Sequence, residues 1–392
     1  MSTRRTALDG IRVLDVTQVM AGPFCAMQLS DMGADVIKVE PPGGDVTRHM
    51  GPAAGTDSAG FAAVNRGKRG IVLDLKSPAG VRAFRRLVAR ADILVENFRP
   101  GVMRRLGLDY EALAADHPAL IYASISGYGQ TGPAASKGGF DLIAQGASGI
   151  MSVTGEPGRP PVKVGVPITD LGAGLLALGG ILAALHYRDR TGRGQHIDTS
   201  LVEAGLALSV WEAAQHFAEG VTPGPLGSAH RFLAPYQAIR CADGYITLGA
   251  GTDGLFAELA EALGHPEWAA DADYRTAPAR HRHQASLIER VERITVSNTC
   301  AHWLDRFAAR SIPCGPINDY AQAFADPQVR ARNMVVEIEH PTLGRLRTPG
   351  SPIKMSETPT VVSRRAPRLG EHTGEVLREA GLSEEEILSL EP

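Results

Sequence analysis

The stretch of this 392-residue chain that most narrows its possible folds is residues 171–187. It carries no Asp, Glu, Lys or Arg, and small residues recur along it: Gly172, Ala173, Gly174, Ala177, Gly179, Gly180, Ala183 and Ala184. Small side chains let neighbouring backbones approach closely, and no polar face is left for water. The run therefore reads as a helix buried on all sides. It is slightly short, and too rich in Gly and Ala, for a membrane span. Thr169 and Asp170 fall where the N-cap of that helix belongs. A carboxylate there is held ionised by the helix dipole and the free amides of the first turn. Capping is the commoner role for such an aspartate. An ionised, partly desolvated carboxylate can also act as a nucleophile towards an acyl carbon.

The length exceeds one ordinary core, so two domains are expected. A composition 44% hydrophobic and 21% charged is that of a soluble globular protein, and argues against a membrane partner. The net charge is −3 with both signs interspersed, and the absence of a basic run excludes a nucleic-acid surface. Cys25, Cys241, Cys300 and Cys314 are far apart, with neither a CxxC pair nor metal-ligand spacing. They read as reduced thiols of a cytoplasmic protein that holds no metal. Residues 1–7 are basic but lack the apolar run of a signal peptide.

In the first quarter, short β-rich runs alternate with helical patterns. Strands are expected at 11–14, 35–40, 71–75, 93–95 and 120–125, and a helix at 24–32. Ser77-Pro78 starts another helix, with Val81, Phe84, Leu87 and Val88 on one face. This alternation implies an α/β fold with a largely parallel, doubly wound sheet. Ligands of such sheets sit beyond the carboxyl ends of the strands, here the loops 17–23, 40–47, 96–101 and 126–132. Residues 1–220 form this large domain. Residues 201–218 read as one helix, and 220–228 as a linker. A smaller α+β domain follows at 226–325, with a hairpin about Asp243-Gly244 and helices at 255–263, 284–296 and 301–310. The segment 326–392 carries a hairpin-like stretch (335–348) and a polar helix (371–390).

Gly249-Ala250-Gly251-Thr252-Asp253-Gly254 matches G-x-G-x-x-G, lying between a strand and a helix. No second parallel strand ending in an acidic residue follows, so a nicotinamide site is rejected. What remains is a glycine-rich turn, or a mobile loop whose bare backbone approaches a reacting group.

Several motifs together resemble one family, the class III coenzyme A transferases of the formyl-CoA and carnitine CoA-transferase type. They include Leu8-Asp9-Gly10-Ile11-Arg12-Val13-Leu14-Asp15 with Ala21-Gly22-Pro23, and Gly33-Ala34-Asp35-Val36-Ile37-Lys38-Val39-Glu40. Asn65-Arg66-Gly67-Lys68-Arg69, Glu96-Asn97-Phe98-Arg99-Pro100-Gly101 and Gly127-Tyr128-Gly129-Gln130-Thr131-Gly132-Pro133 continue the pattern. Thr191-Gly192-Arg193-Gly194-Gln195, Pro313-Cys314-Gly315-Pro316 and Leu369-Gly370-Glu371-His372-Thr373 complete it. The resemblance implies a Rossmann-like large domain to which the segment 326–392 returns, a small α+β domain and two chains interlocked as a homodimer. It also implies that Asp170 is the catalytic aspartate. Coenzyme A, a substrate rather than a bound cofactor, would contact Val19, Met20, Ala21, Leu73, Lys76, Asn97, Phe98, Val102, Arg105 and Leu106. Met20 stands where formyl-CoA transferase has Gln, and Pro41 where it has Arg. Lys76 and Arg105 have a rationale of their own, since phosphates need cations. The loop Gly249, Ala250, Gly251 would close over the thioester.

The implied chemistry is acyl exchange: Asp170 forms an anhydride with the donor acyl group, then a thioester with CoA, and the acceptor acid reverses the sequence. The racemases of the same fold use the equivalent aspartate opposite a histidine in Gly-His-Asp, where this chain has Gly139-Phe140-Asp141. Phe140 cannot carry a proton, which favours transfer. Asp141 is a candidate supporting residue or a helix start. A non-catalytic acyl-CoA binder is the third reading. The stretches around Gly227-Ser228-Ala229-His230 and Pro235-Tyr236-Gln237-Ala238 resemble dicarboxylate CoA-transferases such as succinyl-CoA:glutarate transferase. His230 or Arg231 would then meet the acceptor's distal carboxylate.

Overall fold

The computed structural model describes residues 6–54, 57–362 and 364–390. Residues 1–5 of the basic N-terminal segment lie outside them. The chain divides into two compact units. The first takes the chain up to Ile150, then Lys163–Val221, then everything from Pro327; the second takes Met151–Val162 and Thr222–Asp326. Residues 151–162, read from the sequence as part of the large domain, thus belong to the second unit.

The first unit is built on six parallel strands: β1 (Arg12–Asp15), β2 (Asp35–Glu40), β3 (Arg69–Val72), β4 (Ile93–Glu96), β5 (Ile121–Ser126) and β6 (His196–Ser200). Their spatial order is β3-β2-β1-β4-β5-β6. Alternate residues feed two cores: Val13, Val36 and Ile93 one face, Leu14, Ile37 and Leu94 the other. Burial on both faces is why these strands read as short continuous apolar runs. Helices α1 (Ala21–Asp31), α2 (Pro78–Val88), α3 (Asp141–Ala147), α4 (Ile168–Thr191), α5 (Leu201–Leu208) and α6 (Val210–Glu219) accompany the sheet. Of these, α1, α4 and α5 contribute to the first core, and α2 with the C-terminal helices Thr373–Glu379 and Glu384–Leu388 to the second.

Ser77 caps α2 by accepting from the Gly80 amide, with Pro78 in the first turn, as its sequence predicts. Helix α1 starts three residues before the expected 24. Ala21, Gly22 and Pro23 are its first turn rather than loop, because Gly22 fits against Thr17 where any Cβ would lie 2.3 Å from Thr17 Cγ2. The run 201–218 is broken into α5 and α6 at Ser209, and 371–390 into two short helices.

Helix α4 spans 24 residues, a turn more at its C-terminal end than the uncharged run. By length and composition, with a mean hydropathy of 1.8 over its most apolar window, it could cross a membrane; half of that window is buried inside the protein. It is not buried on all sides: Leu175 and Leu176 are 51% and 48% exposed. A lack of charge marks a face that avoids water but does not say what covers it.

The second unit holds the antiparallel strands β7 (Tyr236–Arg240), β8 (Tyr245–Gly249) and β9 (Cys314–Pro316), ordered β9-β8-β7. Helices α7 (Asp253–Leu263), α8 (Gln284–Thr295) and α9 (Cys300–Ala308) pack on them through Phe256, Leu259, Leu287, Val291, Trp303 and Phe307. Strand β8 has antiparallel neighbours on both sides, so the G-x-G-x-x-G after it lacks the parallel setting of a dinucleotide site.

Candidate active site

The strand order of the first unit reverses between β1 and β4, and loops leaving their carboxyl ends diverge to open a crevice. A cavity of about 590 Å³ there is lined by Gln18, Val19, Met20 and Ala21 after β1, by Asn97, Phe98 and Arg99 after β4, and by Lys137, Phe140 and Asp170. A second cavity of about 410 Å³ shares Gln18 and Phe98 with it and adds Pro41, Leu73, Lys76, Val102, Arg105 and Leu106. All ten residues expected to meet coenzyme A fall on these two linings. Lys76 and Arg105 are exposed, and among the described residues neither forms an ion pair, so both cations face the second cavity uncommitted.

Asp170 is the third residue of α4 and not its cap, since the helix begins at Ile168 and Pro167 occupies the cap position. The capping duty falls to Asp141, the first residue of α3, 28 positions upstream. Its Oδ1 accepts from the Thr169 amide at 3.0 Å and the Thr169 hydroxyl at 2.8 Å, and its Oδ2 from Gln145 Nε2 at 2.8 Å. Gln145, fully buried, accepts in turn from the Val164 amide at 2.9 Å. Asp141 is therefore both a helix start and the support of the segment that carries Asp170.

The Asp170 carboxyl is pushed up to about 7, first by burial and then by the negative charge of Asp141. The sequence-based expectation of a firmly ionised carboxylate is thus corrected. Burial and the neighbouring carboxylate outweigh the helix N-terminus, and among the described residues no cation bonds to Asp170. A carboxyl shifted this far by burial and a neighbouring charge, on the wall of a cavity, marks Asp170 as a candidate for chemistry.

Asn97 stands on the cavity wall, yet both ends of its amide are occupied: Oδ1 accepts from the Gln18 amide at 2.8 Å and Nδ2 donates to the Gln18 carbonyl at 2.7 Å. It clamps the β1 loop to the β4 loop. Glu96, at the end of β4, is pushed up to about 7 by burial and accepts from the Phe98 amide. Beneath the β1 loop lies a group of buried charges that the site reading missed: Asp15, Lys38, Asp45 and Lys68. A lysine among Val36, Ile37 and Val39 in the strand Asp35–Glu40 was the legible signal.

The remaining candidates lie in the second unit. Gly249 donates to the Pro313 carbonyl, Ala250 to the Pro235 carbonyl, and the Gly251 carbonyl accepts from the fully buried Arg280 at 2.8 Å. These bonds hold the turn within its own unit. His230 Nδ1 accepts from the amides of Phe232 and Leu233, and Arg231 donates to the Gly224 carbonyl at 2.9 Å. Both side chains thereby organise their own loop.

Residues 8–373 match the family described as CoA-transferase family III. A succinate–glutarate CoA-transferase of Agrobacterium fabrum is 42% identical over 97% of this chain and 97% of its own length. A succinyl-CoA:mesaconate CoA-transferase of Haloarcula hispanica is 42% identical over 96% and 97%. Among solved structures, a CaiB/BaiF family protein of Brucella suis superposes with a TM-score of 0.85 at 41% identity, covering 96% of this chain and 99% of that one. With the parallel sheet, the crevice and this end-to-end likeness in agreement, the chain is an enzyme of CoA-transferase family III.

Proposed function

We propose that this enzyme moves coenzyme A from a succinyl-type acyl-CoA to a small dicarboxylic acid, with Asp170 as the covalent centre. The observation that carries this reading is the pairing of two cavities along one crevice. One presents the Asp170 carboxylate; the other presents Lys76 and Arg105, which suit the phosphates of CoA. The relatives named above take succinyl-CoA or succinate with a second dicarboxylate, which supports the substrate class.

In the proposed sequence, an Asp170 carboxylate oxygen adds to the thioester carbonyl of the donor and the C–S bond breaks. CoA thiolate leaves, and a mixed anhydride remains. The thiolate attacks the aspartyl carbonyl, releases the donor acid as its carboxylate and leaves an aspartyl-CoA thioester. The acceptor carboxylate attacks that thioester and the same two steps run in reverse, restoring Asp170. One thioester replaces another, so the protein supplies position and exclusion of water rather than driving force.

The strand order 3-2-1-4-5-6 supports a Rossmann-like large domain. A homodimer is supported by the apolar side chains left in water on α3 to α6: Leu142, Leu175, Leu206, Val210 and Phe217. Cytoplasmic residence suits an enzyme that draws on free acyl-CoA.

A carboxyl near 7 would also suit proton exchange at an α-carbon, the racemase reading. Phe140, on the same cavity wall, offers no second proton carrier. The deciding experiment is to incubate the enzyme with succinyl-CoA, trap with hydroxylamine and map the peptide by mass spectrometry beside Asp170→Ala. A hydroxamate on Asp170, missing from the variant, is expected. An unmodified Asp170 with α-deuterium exchange in a 2-methylacyl-CoA would replace transfer by racemisation. CoA binding with neither outcome would leave a binder.

A further inference from the structure

The cavity wall contributed by the β1 loop is unusual in its backbone. Val19 has φ +68°, the left-handed region that a β-branched residue avoids. Such a conformation persists only where its surroundings over-determine it, and here they do so from below. Lys38 and Lys68, both fully inaccessible to solvent in their side chains, hold the two ends of the segment. Lys38 Nζ donates to the Thr17 carbonyl and, at 3.0 Å, to Asp45 Oδ2. Lys68 Nζ donates to the Pro23 carbonyl at 2.9 Å, to Asp15 Oδ2 at 2.7 Å and to Asn65 Oδ1 at 2.7 Å. Asp15 Oδ1 accepts from the Thr17 amide at 3.0 Å and from the Thr17 hydroxyl. Asp45 Oδ1 lies 3.5 Å from the Val19 amide, and Asn97 holds both polar groups of the Gln18 backbone.

We infer that Lys38 and Lys68 are positioning residues for the reaction: two buried ammonium groups that suspend the segment from Thr17 to Pro23 and fix the wall formed by Gln18, Val19, Met20 and Ala21. Neither lysine lines the cavity, so each acts through the backbone it holds. The arrangement is costly, because two buried cations need their full set of partners. Met would fill either position with no such requirement. Holding the Val19 conformation against the reacting carboxyl gives the network a purpose beyond packing.

This inference rests on the acyl-transfer reading, and its test separates the two. The rate of Asp170 acylation by succinyl-CoA is followed in a single turnover, CoA affinity by calorimetry, and folding by melting temperature. Lys38→Met is expected to slow acylation roughly a hundredfold, the scale of a small misplacement at a reacting centre. Should that variant not fold, Val19→Gly and Val19→Ala decide. Both remove the valine side chain, but glycine also frees the backbone. Acylation roughly tenfold slower in the glycine variant than in the alanine variant, at matched melting temperatures, is expected for a wall that must be held. Equal rates in the two, or a folded Lys38→Met with the wild-type rate, would overturn the inference. If the wild type forms no Asp170 adduct, the acyl-transfer reading fails instead. CoA affinity then tests the wall: about fivefold weaker binding for glycine than for alanine supports it, and equal binding overturns it.

Discussion

On the proposed acyl-transfer reading, Asp170 answers to two demands that pull apart: burial would keep water from a reactive intermediate, while attack on a thioester needs the charge that burial resists. The nearby Asp141 sharpens the conflict, since it supports the start of α4 and also disfavours a second negative charge. On that reading the attacking species is the ionised carboxylate, and the raised value of about 7 is the midpoint at which it forms. The kcat/KM of transfer is therefore expected to level off above neutrality and fall about tenfold per pH unit on the acid side. In Asp141→Asn the amide oxygen still accepts from Thr169 but carries no charge, so the inflection of the pH–rate profile should move to lower pH. An inflection that stays in place would remove Asp141 from the control of Asp170. Both aspartates stood out in the sequence, one before a small-residue run and the other in the Gly-Phe-Asp triplet. Their relation did not, because a pattern along the chain cannot say that a carboxylate 28 residues upstream caps the same helix. Asn97 shows the same limit: its place on the cavity wall was legible, and its commitment to the Gln18 backbone was not.

Among the elements, α4 and α1 meet backbone to backbone, as the recurring small residues imply. A Cβ at Gly174 would stand 2.7 Å from the Ala21 carbonyl oxygen, which cannot yield as a flexible side chain would. Gly174→Ala is expected to cost about 1–3 kcal/mol despite the better helix propensity of alanine, read as a lower denaturation midpoint at unchanged slope. A neutral or stabilising effect would mean that the two helices separate freely. Strand β2 and the start of α2 were legible to the residue, the first from its apolar run and the second from Ser77-Pro78. The breaks were harder to see. Ser209 ends α5 within an uninterrupted apolar pattern, and Gly381, at φ +81°, turns the chain between the last two helices where polar residues continue on both sides. Local turns of that kind depend on what the flanking helices pack against, which a periodicity does not contain.

At the scale of the molecule, the proposed homodimer rests on the apolar side chains left in water on α3 to α6, Phe217 most of all at 84% exposure. Sedimentation is expected to give twice the chain mass, and Phe217→Asp to shift the population toward the single chain. An unchanged mass in the variant would place the interface elsewhere. The path of the chain has another consequence. Strand β3 is one of the two edge strands of the sheet, and its free side is closed by the C-terminal segment. His372 Nδ1 accepts from the Gly70 amide, the Gly70 carbonyl takes the His372 amide, and Thr373 Oγ1 accepts from the Val72 amide. Arg69 is held in addition by Glu375 and Glu379. Without that cover the sheet would present an open hydrogen-bonding edge of the kind that recruits other strands into aggregates. The turn that carries His372 and Thr373 thus does for the sheet's edge what the helices do for its faces.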